Sequence, residues 1–265
     1  MKRIFILFLI LVAATGSYWL YKQTMYSKES VPEQVSIQEV QDASADVLQS
    51  DAANGTAVVV YPALPAELNL EAPFYSQAPF SNWDYPWQEA CEEASVLLVA
   101  NVYFEHDWTR EEFNEQILAL VDWENEVFGS YEHTDVDQTV KILEEYLDLE
   151  TIVHQDPTFE DVQTILARGH LIVMTFAGKE LGNPFFTNGG PIYHAMMIKG
   201  YKEGEKVIVH DVGTRRGEDY VYTWEVIENS LHDYAEPIQD GAKRYIEVLP
   251  PDSETPSKQS VPDNF

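Results

Sequence analysis

Uncharged, mostly apolar residues first form one unbroken run along this chain, and apolar residues later recur at helical spacing. The run from Ile4 to Tyr21 holds 18 residues without a charge. The length of the whole run is typical of a membrane-spanning helix. Its strongly apolar part is shorter and is followed by small residues, which is also typical of a cleaved signal peptide. Both alternatives remain open, and both place the rest of the chain outside the cytoplasm. We expect an anchor or signal peptide over 1–23, a flexible linker over 24–68 and a disordered tail over 250–265.

The first half of the remaining segment, 69–249, has the apolar periodicity of helices. Ala90, Ala94, Leu97 and Leu98 predict a helix over 87–104. Similar spacing predicts helices over 110–120 and 135–147, and a further helix from Thr158 to Gly169.

The second half of this segment has the pattern of strands. Short apolar runs predict strands over 171–176, 193–201, 206–212 and 220–224. The turn Lys202-Glu-Gly-Glu205 joins the second and third strands as a hairpin. Helices followed by a meander of strands indicate an α+β domain, with N-terminal helices packed on an antiparallel sheet.

The hairpin brings two chemically useful side chains together. If its turn centres between Glu203 and Gly204, the numbers of facing residues sum to about 407, so His194 lies opposite Gly213. Asp211 then shares the face of His194, on its diagonal, within reach of an imidazole–carboxylate contact. A slip of one residue would break this pair.

Cys91, the single cysteine, lies near the start of the first predicted helix. A helix N-terminus favours a thiolate, and a thiolate beside an imidazolium is the activated nucleophile of cysteine hydrolases. Glu89, Glu92 and Glu93 would oppose that charge. We expect these carboxylates to point outward while Cys91 faces a cleft. The alternative is that Cys91 is an inert buried thiol.

Composition excludes several classes of protein. Lys and Arg number 16 against 45 Asp and Glu, a net charge of −29, which disfavours nucleic-acid binding. One cysteine rules out an internal disulfide and a zinc site built on two cysteines. The histidines show no metal-ligand spacing, so we expect neither a metal nor a cofactor. We expect the domain to be a monomer.

Four segments resemble the C39-like family of papain-fold cysteine peptidases, covering about 69–235. They are Ala72-Pro-Phe-Tyr-Ser-Gln77, Gln88-Glu-Ala-Cys91-Glu-Glu-Ala-Ser95, Pro191-Ile-Tyr-His194-Ala-Met-Met-Ile-Lys-Gly200-Tyr and Val207-Ile-Val-His-Asp211-Val-Gly213-Thr. The resemblance implies a papain-like fold and a peptide or protein substrate. It assigns Cys91 as the nucleophile, His194 as the base and Asp211 as the group that orients the base.

The same resemblance implies an oxyanion site. Gln77 matches the donor position, with the Cys91 backbone N–H as the second donor, and Gln88 is the competing assignment. Glu92 follows the nucleophile where the transporter-linked members have Gly, so cleavage of double-glycine leaders does not carry over. The alternative function is an inactive C39-like domain that binds a peptide or a cell-wall component.

Overall fold

The fold is a mixed helical and antiparallel β structure, as the sequence predicts. The computed structural model describes residues 29–43 and 64–251. The strands of its sheet are β1 (Leu68–Asn69), β2 (Thr151–Gln155), β3 (Leu171–Ala177), β4 (Tyr193–Lys202), β5 (Lys206–His210), β6 (Tyr220–Thr223) and β7 (Arg244–Val248). Their order in the sheet is β2-β7-β3-β4-β5-β6, and β1 pairs with β4. The sequence pattern missed β1, β2 and β7, which the chain uses to extend the sheet.

Five α-helices accompany the sheet within residues 64–251. They are α1 (Cys91–Tyr103), α2 (Arg110–Val127), α3 (Val136–Lys141), α4 (Phe159–Leu166) and α5 (Trp224–Ser230). A π-helical turn, Ile142–Tyr146, continues α3. Thr109, Asp135 and Thr158 cap α2, α3 and α4 by accepting hydrogen bonds from backbone N–H groups at the third helical position. These caps explain why the helices begin close to their predicted starts.

Helix α1 is the central helix of the domain. It packs against β4 on one side and α2 on another, and every residue from Cys91 to Asn101 is buried. The predicted helix over 87–104 is divided here. Trp87–Glu89 forms a separate 3-10 turn, and Ala90 leaves helical geometry with ψ near 37°. Cys91 is therefore the first residue of α1.

The hairpin of β4 and β5 has the expected register where it approaches His194. Met197 pairs with His210 and Ile198 with Val209, so the residue numbers sum to 407. Near the turn Lys202 pairs with Lys206, and the sum is 408. A β-bulge between Ile198 and Gly200 changes the register by one residue.

Part of the expected flexible linker is folded onto the domain. The compact unit that contains the sheet begins at Val31. Val35 forms a parallel bridge with Leu70, accepting from the Glu71 N–H and donating to the Asn69 carbonyl. Residues 37–43 are helical, and Ile37 lies against Gly169. Backbone pairing and apolar contact thus hold residues 31–43 on the domain. The flexible linker expected over 24–68 is corrected for this segment.

The two chain ends lie outside the described residues. This applies to the anchor or signal peptide expected over 1–23 and to most of the tail expected over 250–265. Across residues 29–43 and 64–251, no helix combines the length and apolarity needed to cross a membrane.

Candidate active site

His194 and Asp211 form a buried pair at the end of the sheet. His194 is the second residue of β4, and Asp211 directly follows β5. His194 Nε2 lies 2.8 Å from Asp211 Oδ1, and the two side chains are 1% and 0% exposed. The contact fixes the orientation of the imidazole and leaves its Nδ1 as the nitrogen available for chemistry.

Three further donors hold the Asp211 carboxylate. Asn183 Nδ2 and the Tyr222 hydroxyl each donate to Oδ2 at 2.7 Å, and the Gly213 N–H donates to Oδ1 at 3.1 Å. Burial by itself would raise the pKa of Asp211, but His194, Tyr222 and Asn183 together lower it below its ordinary value. Asp211 therefore stays ionised. No motif or spacing in the sequence marks Asn183 or Tyr222 as partners of Asp211.

Cys91 packs against the strand that carries His194. Its side chain is 6% exposed, and the Ala195 N–H of β4 hydrogen-bonds to its sulfur. The Cys91 carbonyl accepts from the Ser95 hydroxyl at 2.7 Å. Secondary structure thus brings Cys91, His194 and Asp211 into one region, although they are distant in sequence.

The Cys91 thiol contacts Glu92 in this structure. Sγ donates to Glu92 Oε2 at 2.9 Å, while His194 Nδ1 is buried without a hydrogen-bond partner among the described residues. The expectation that Glu92 and Glu93 point outward is wrong, since they are only 1% and 0% exposed. Both are buried because α1 packs on more than one side.

The electrostatic surroundings of the thiol also differ from expectation. Burial raises the pKa of Cys91 well above its ordinary value, and the neighbouring Glu92 raises it further. The Ala195 N–H acts in the opposite direction. A helix N-terminus alone therefore does not produce a thiolate here. The site must remove or neutralise the Glu92 charge before the sulfur ionises.

Gln77 lies beside the start of α1, whereas the competitor Gln88 faces solvent. Gln77 is 3% exposed, and its Nε2 donates to the Trp87 and Gln88 carbonyls at 2.9 and 3.0 Å. Its backbone N–H donates to Val212, next to Asp211. The exposed Gln88 side chain donates instead to Glu89. Gln77 thus has the better position for the oxyanion role, with its amide hydrogens held by carbonyls in this structure.

An apolar depression lies next to this loop. It has a volume of about 230 Å³ and is lined by Ala78, Pro79, Phe80, Asn82, Trp87 and Asn114. Trp87 donates from Nε1 to Asn114, which fixes one wall, while Phe80 and Trp83 are 51% and 38% exposed. Within the described ranges, no group of His, Cys, Asp and Glu side chains is arranged to hold a metal ion.

Gly213 leaves the space that the His194 ring occupies. A Cβ built at Gly213 would lie 2.7 Å from His194 Cε1 and 3.0 Å from Phe186 Cε1. Gly213→Ala is therefore expected to displace the imidazole from the orientation that its contact with Asp211 sets. We expect any hydrolytic rate to fall about 100-fold as a result. The measurement compares kcat/KM of wild type and variant at a temperature at which both proteins are folded. An unchanged rate would show that the ring is not confined at this position.

Comparisons with known proteins agree with this geometry at the level of family. The model of the Peptidase_C39 like family matches residues 69–239. No curated protein matches the chain. Similar solved structures include a C39-like peptidase from Bacillus anthracis, with 15% identity, 70% of this chain and 98% of that chain covered, and a TM-score of 0.46.

A second similar structure is xylellain, a cysteine protease from Xylella fastidiosa. It is 16% identical, with 70% of this chain and 86% of that chain covered and a TM-score of 0.41. The family match spans more than half of the 265 residues and includes Cys91, His194 and Asp211. The chain therefore belongs to the Peptidase_C39 like family.

Proposed function

We propose that this protein is a cysteine peptidase that hydrolyses peptide or amide bonds through Cys91, His194 and Asp211. The observation that carries the proposal is the His194–Asp211 pair at 2.8 Å, whose remaining ring nitrogen is buried and unpartnered on the strand against which Cys91 packs. A base oriented by a carboxylate and placed beside a thiol is the arrangement that nucleophilic catalysis requires.

The reaction follows from these roles. His194 Nδ1 takes the proton from Cys91 Sγ, and the thiolate attacks the substrate carbonyl. Gln77 and the Cys91 N–H stabilise the resulting oxyanion, for which Gln77 must release a backbone carbonyl. The imidazolium returns its proton to the leaving amine, and an acyl-enzyme remains. Water, deprotonated by His194, attacks the thioester and releases the carboxylic acid and the free thiol.

The proposed site of action is outside the cytoplasm. Lys2 and Arg3 precede 18 uncharged residues, a sequence typical of an anchor or signal segment that leaves the domain exported. The substrate is proposed to be a peptide or protein, and the domain to act as a monomer without a cofactor.

One experiment tests both the chemistry and the location. A charged, membrane-impermeant peptidyl vinyl sulfone is expected to alkylate Cys91 in intact cells that express the full chain, and His194→Ala is expected to slow that reaction at least about tenfold. Peptide mapping by mass spectrometry locates the adduct. Labelling only after cell lysis would contradict the location. Labelling at the same rate in His194→Ala would contradict the catalytic pair.

A specific observation supports a second candidate, an inactive domain that binds peptides at the same place. The Cys91 thiol is bonded to Glu92, and its pKa is raised. A binding domain would bind the unreactive parent peptide of the probe while leaving Cys91 unmodified, so the same experiment separates the two functions.

A further inference from the structure

Three buried carboxyl groups lie together behind the nucleophile. Glu92 and Glu93 belong to α1 and Glu124 to α2, and they are 1%, 0% and 0% exposed. Thr134 donates to Glu124 Oε1 at 2.9 Å. The second Glu124 oxygen, both Glu93 oxygens and Glu92 Oε1 have no donor among the described residues. Carboxylate oxygens without donors are very costly in a protein interior, so burial favours the protonated forms of these groups.

The protons are divided unequally among the three groups. Burial raises the pKa of Glu93 well above its ordinary value, and repulsion from Glu124 and Glu92 raises it further. Burial also raises the pKa of Glu124 to about 7. Glu93 therefore retains its proton more firmly than Glu124 does. Glu92 is the member of the cluster that contacts the Cys91 sulfur.

We propose that Glu92 is a positioning residue for the nucleophile: as a neutral acid it donates to the Cys91 thiolate, and as an anion it holds the thiol proton away from His194. This inference rests on the proposed function, because it concerns how the same cysteine becomes reactive. It also explains how a thiol surrounded by acids can act as a nucleophile.

The proton balance distinguishes the two forms. With Glu92 neutral, the Cys91 proton passes to His194 Nδ1. The Glu92 O–H then turns toward the sulfur and donates to it, and Glu92 keeps its own proton throughout. With Glu92 ionised, the thiol donates to Oε2, as in this structure, and ionisation of the sulfur would place two negative charges in contact. The first form favours the reactive ion pair, and the second disfavours it.

The neighbours of Glu92 reinforce its neutral form. Burial is the main cause that raises its pKa, to about 8, and Glu124 and Glu89 add repulsion. The Cys91 thiol and the backbone N–H of Glu92 act against this rise. The other ionisable groups that face it are Glu93 on its own helix and the Tyr193 phenol on β4. Near neutral pH the surroundings therefore keep Glu92 protonated, and alkaline pH ionises it.

The test is the pH dependence of Cys91 alkylation by iodoacetamide in the full chain. Gln has the shape of the neutral acid and cannot ionise, so Glu92→Gln isolates the charge. The alkylation rate of Glu92→Gln divided by that of wild type is expected to rise about tenfold between pH 6 and pH 9. Glu89→Gln is the matched control, since it removes a nearby charge that does not touch the sulfur, and its ratio is expected to change less than about twofold.

A ratio for Glu92→Gln that stays constant with pH would overturn the proposal, because a purely structural role for Glu92 shifts the rate equally at every pH. An equal rise in Glu89→Gln would also overturn it, since the effect would then come from general charge. Alkylation needs no substrate, so these outcomes are independent of whether the protein hydrolyses peptides. Failure of the proposed function would instead appear as absent turnover with a normal alkylation profile.

The wild-type protein supplies a second measurement if Glu92→Gln does not fold. The infrared carbonyl band of a buried protonated carboxyl is expected to decrease as the pH rises through about 8. Cys91→Ala removes the thiol that stabilises the Glu92 anion, so the midpoint of this decrease is expected to move upward. A midpoint that does not respond to Cys91→Ala would contradict the coupling between Glu92 and the sulfur.

Discussion

Cys91→Ala and His194→Ala are each expected to lower the rate of peptide hydrolysis by at least about 10⁴-fold while the domain remains folded. Cys91→Ala removes the atom that attacks the carbonyl. His194→Ala removes the group that takes the thiol proton and returns it to the leaving amine. Residues that act as one unit are not additive, so the double variant is expected to be no slower than either single variant.

A histidine remote from the site provides the control for this experiment. His106 follows α1 and stacks on Trp108, so His106→Ala alters the same residue type without touching Cys91 or Asp211. Its rate is expected to stay within about threefold of wild type. The assay is the release of new amino termini from a mixed peptide library, with melting temperatures measured for all variants. Equal rates in wild type and Cys91→Ala would show that Cys91 is not the nucleophile.

The sequence predicts the His194–Asp211 pair correctly because two irregularities of the hairpin, the register at its turn and a β-bulge, cancel each other. Residue pairs whose numbers sum to 407 place Asp211 on the diagonal of His194, but the turn itself begins with Lys202 paired with Lys206, which sums to 408. The bulge then restores the assumed register before the chain reaches His194. Without the bulge, side chains would shift by one position, and His194 would face the opposite side of the sheet.

Long-range contacts that the hairpin sequence does not contain accompany this bulge. Lys199 is buried at the bulge, and its Nζ bonds to Asp219 Oδ1 at 2.7 Å and to Asn69. Beside it, a Cβ at Gly200 would lie 2.4 Å from the Leu68 carbonyl oxygen, so β1 requires glycine there. Both contacts come from segments far away in sequence. Local pattern therefore predicts the strands but not the irregularity that sets their register.

The surroundings of Cys91 were predictable in part. Val96 to Ala100 is an unbroken apolar run that covers every face of a helix, which indicates a helix buried on all sides. That pattern implies that neighbours such as Glu92 and Glu93 are buried too. The expectation of outward carboxylates relied on a one-sided helix. What the sequence could not supply is Glu124, which α2 brings against them.

The free energy of unfolding is expected to increase as the pH falls from 7 to 5, by at least about 2 kcal/mol. A carboxyl whose pKa is higher in the folded than in the unfolded state stabilises fully below its unfolded pKa and loses this contribution as pH rises through the folded pKa. For Glu92 this loss takes place between pH 4.5, its ordinary pKa, and about 8, its pKa in the folded protein. For Glu124 it takes place between pH 4.5 and about 7. Glu93 changes in the same direction.

Two imidazoles oppose this trend among the described residues: His210, which is fully buried, and His106, whose pKa burial also lowers. Burial, with Lys199 nearby, lowers the pKa of His210 from 6.5 to about 3. His210 therefore stabilises above pH 6.5 and loses that contribution as the pH falls toward 3. The three carboxyls outweigh these two imidazoles between pH 7 and pH 5. The lowered pKa values of Asp211 and Glu247 cost stability only below their ordinary values, on the acid side of this range.

Glu93→Gln is expected to flatten this profile by raising stability at the alkaline end. Glu93 is fully buried with both oxygens lacking donors, and Gln keeps its shape without a proton to lose. At pH 7.5 the variant is expected to be about 2 kcal/mol more stable than wild type, and near pH 4.5 the difference is expected to vanish. Glu89→Gln, at a partly exposed position beside the same helix, is the control and should follow the wild-type curve. Urea unfolding at five pH values measures all three proteins. If Glu93→Gln instead destabilises equally at every pH, the glutamate contributes through packing, and the buried proton of Glu93 does not govern the stability of this core.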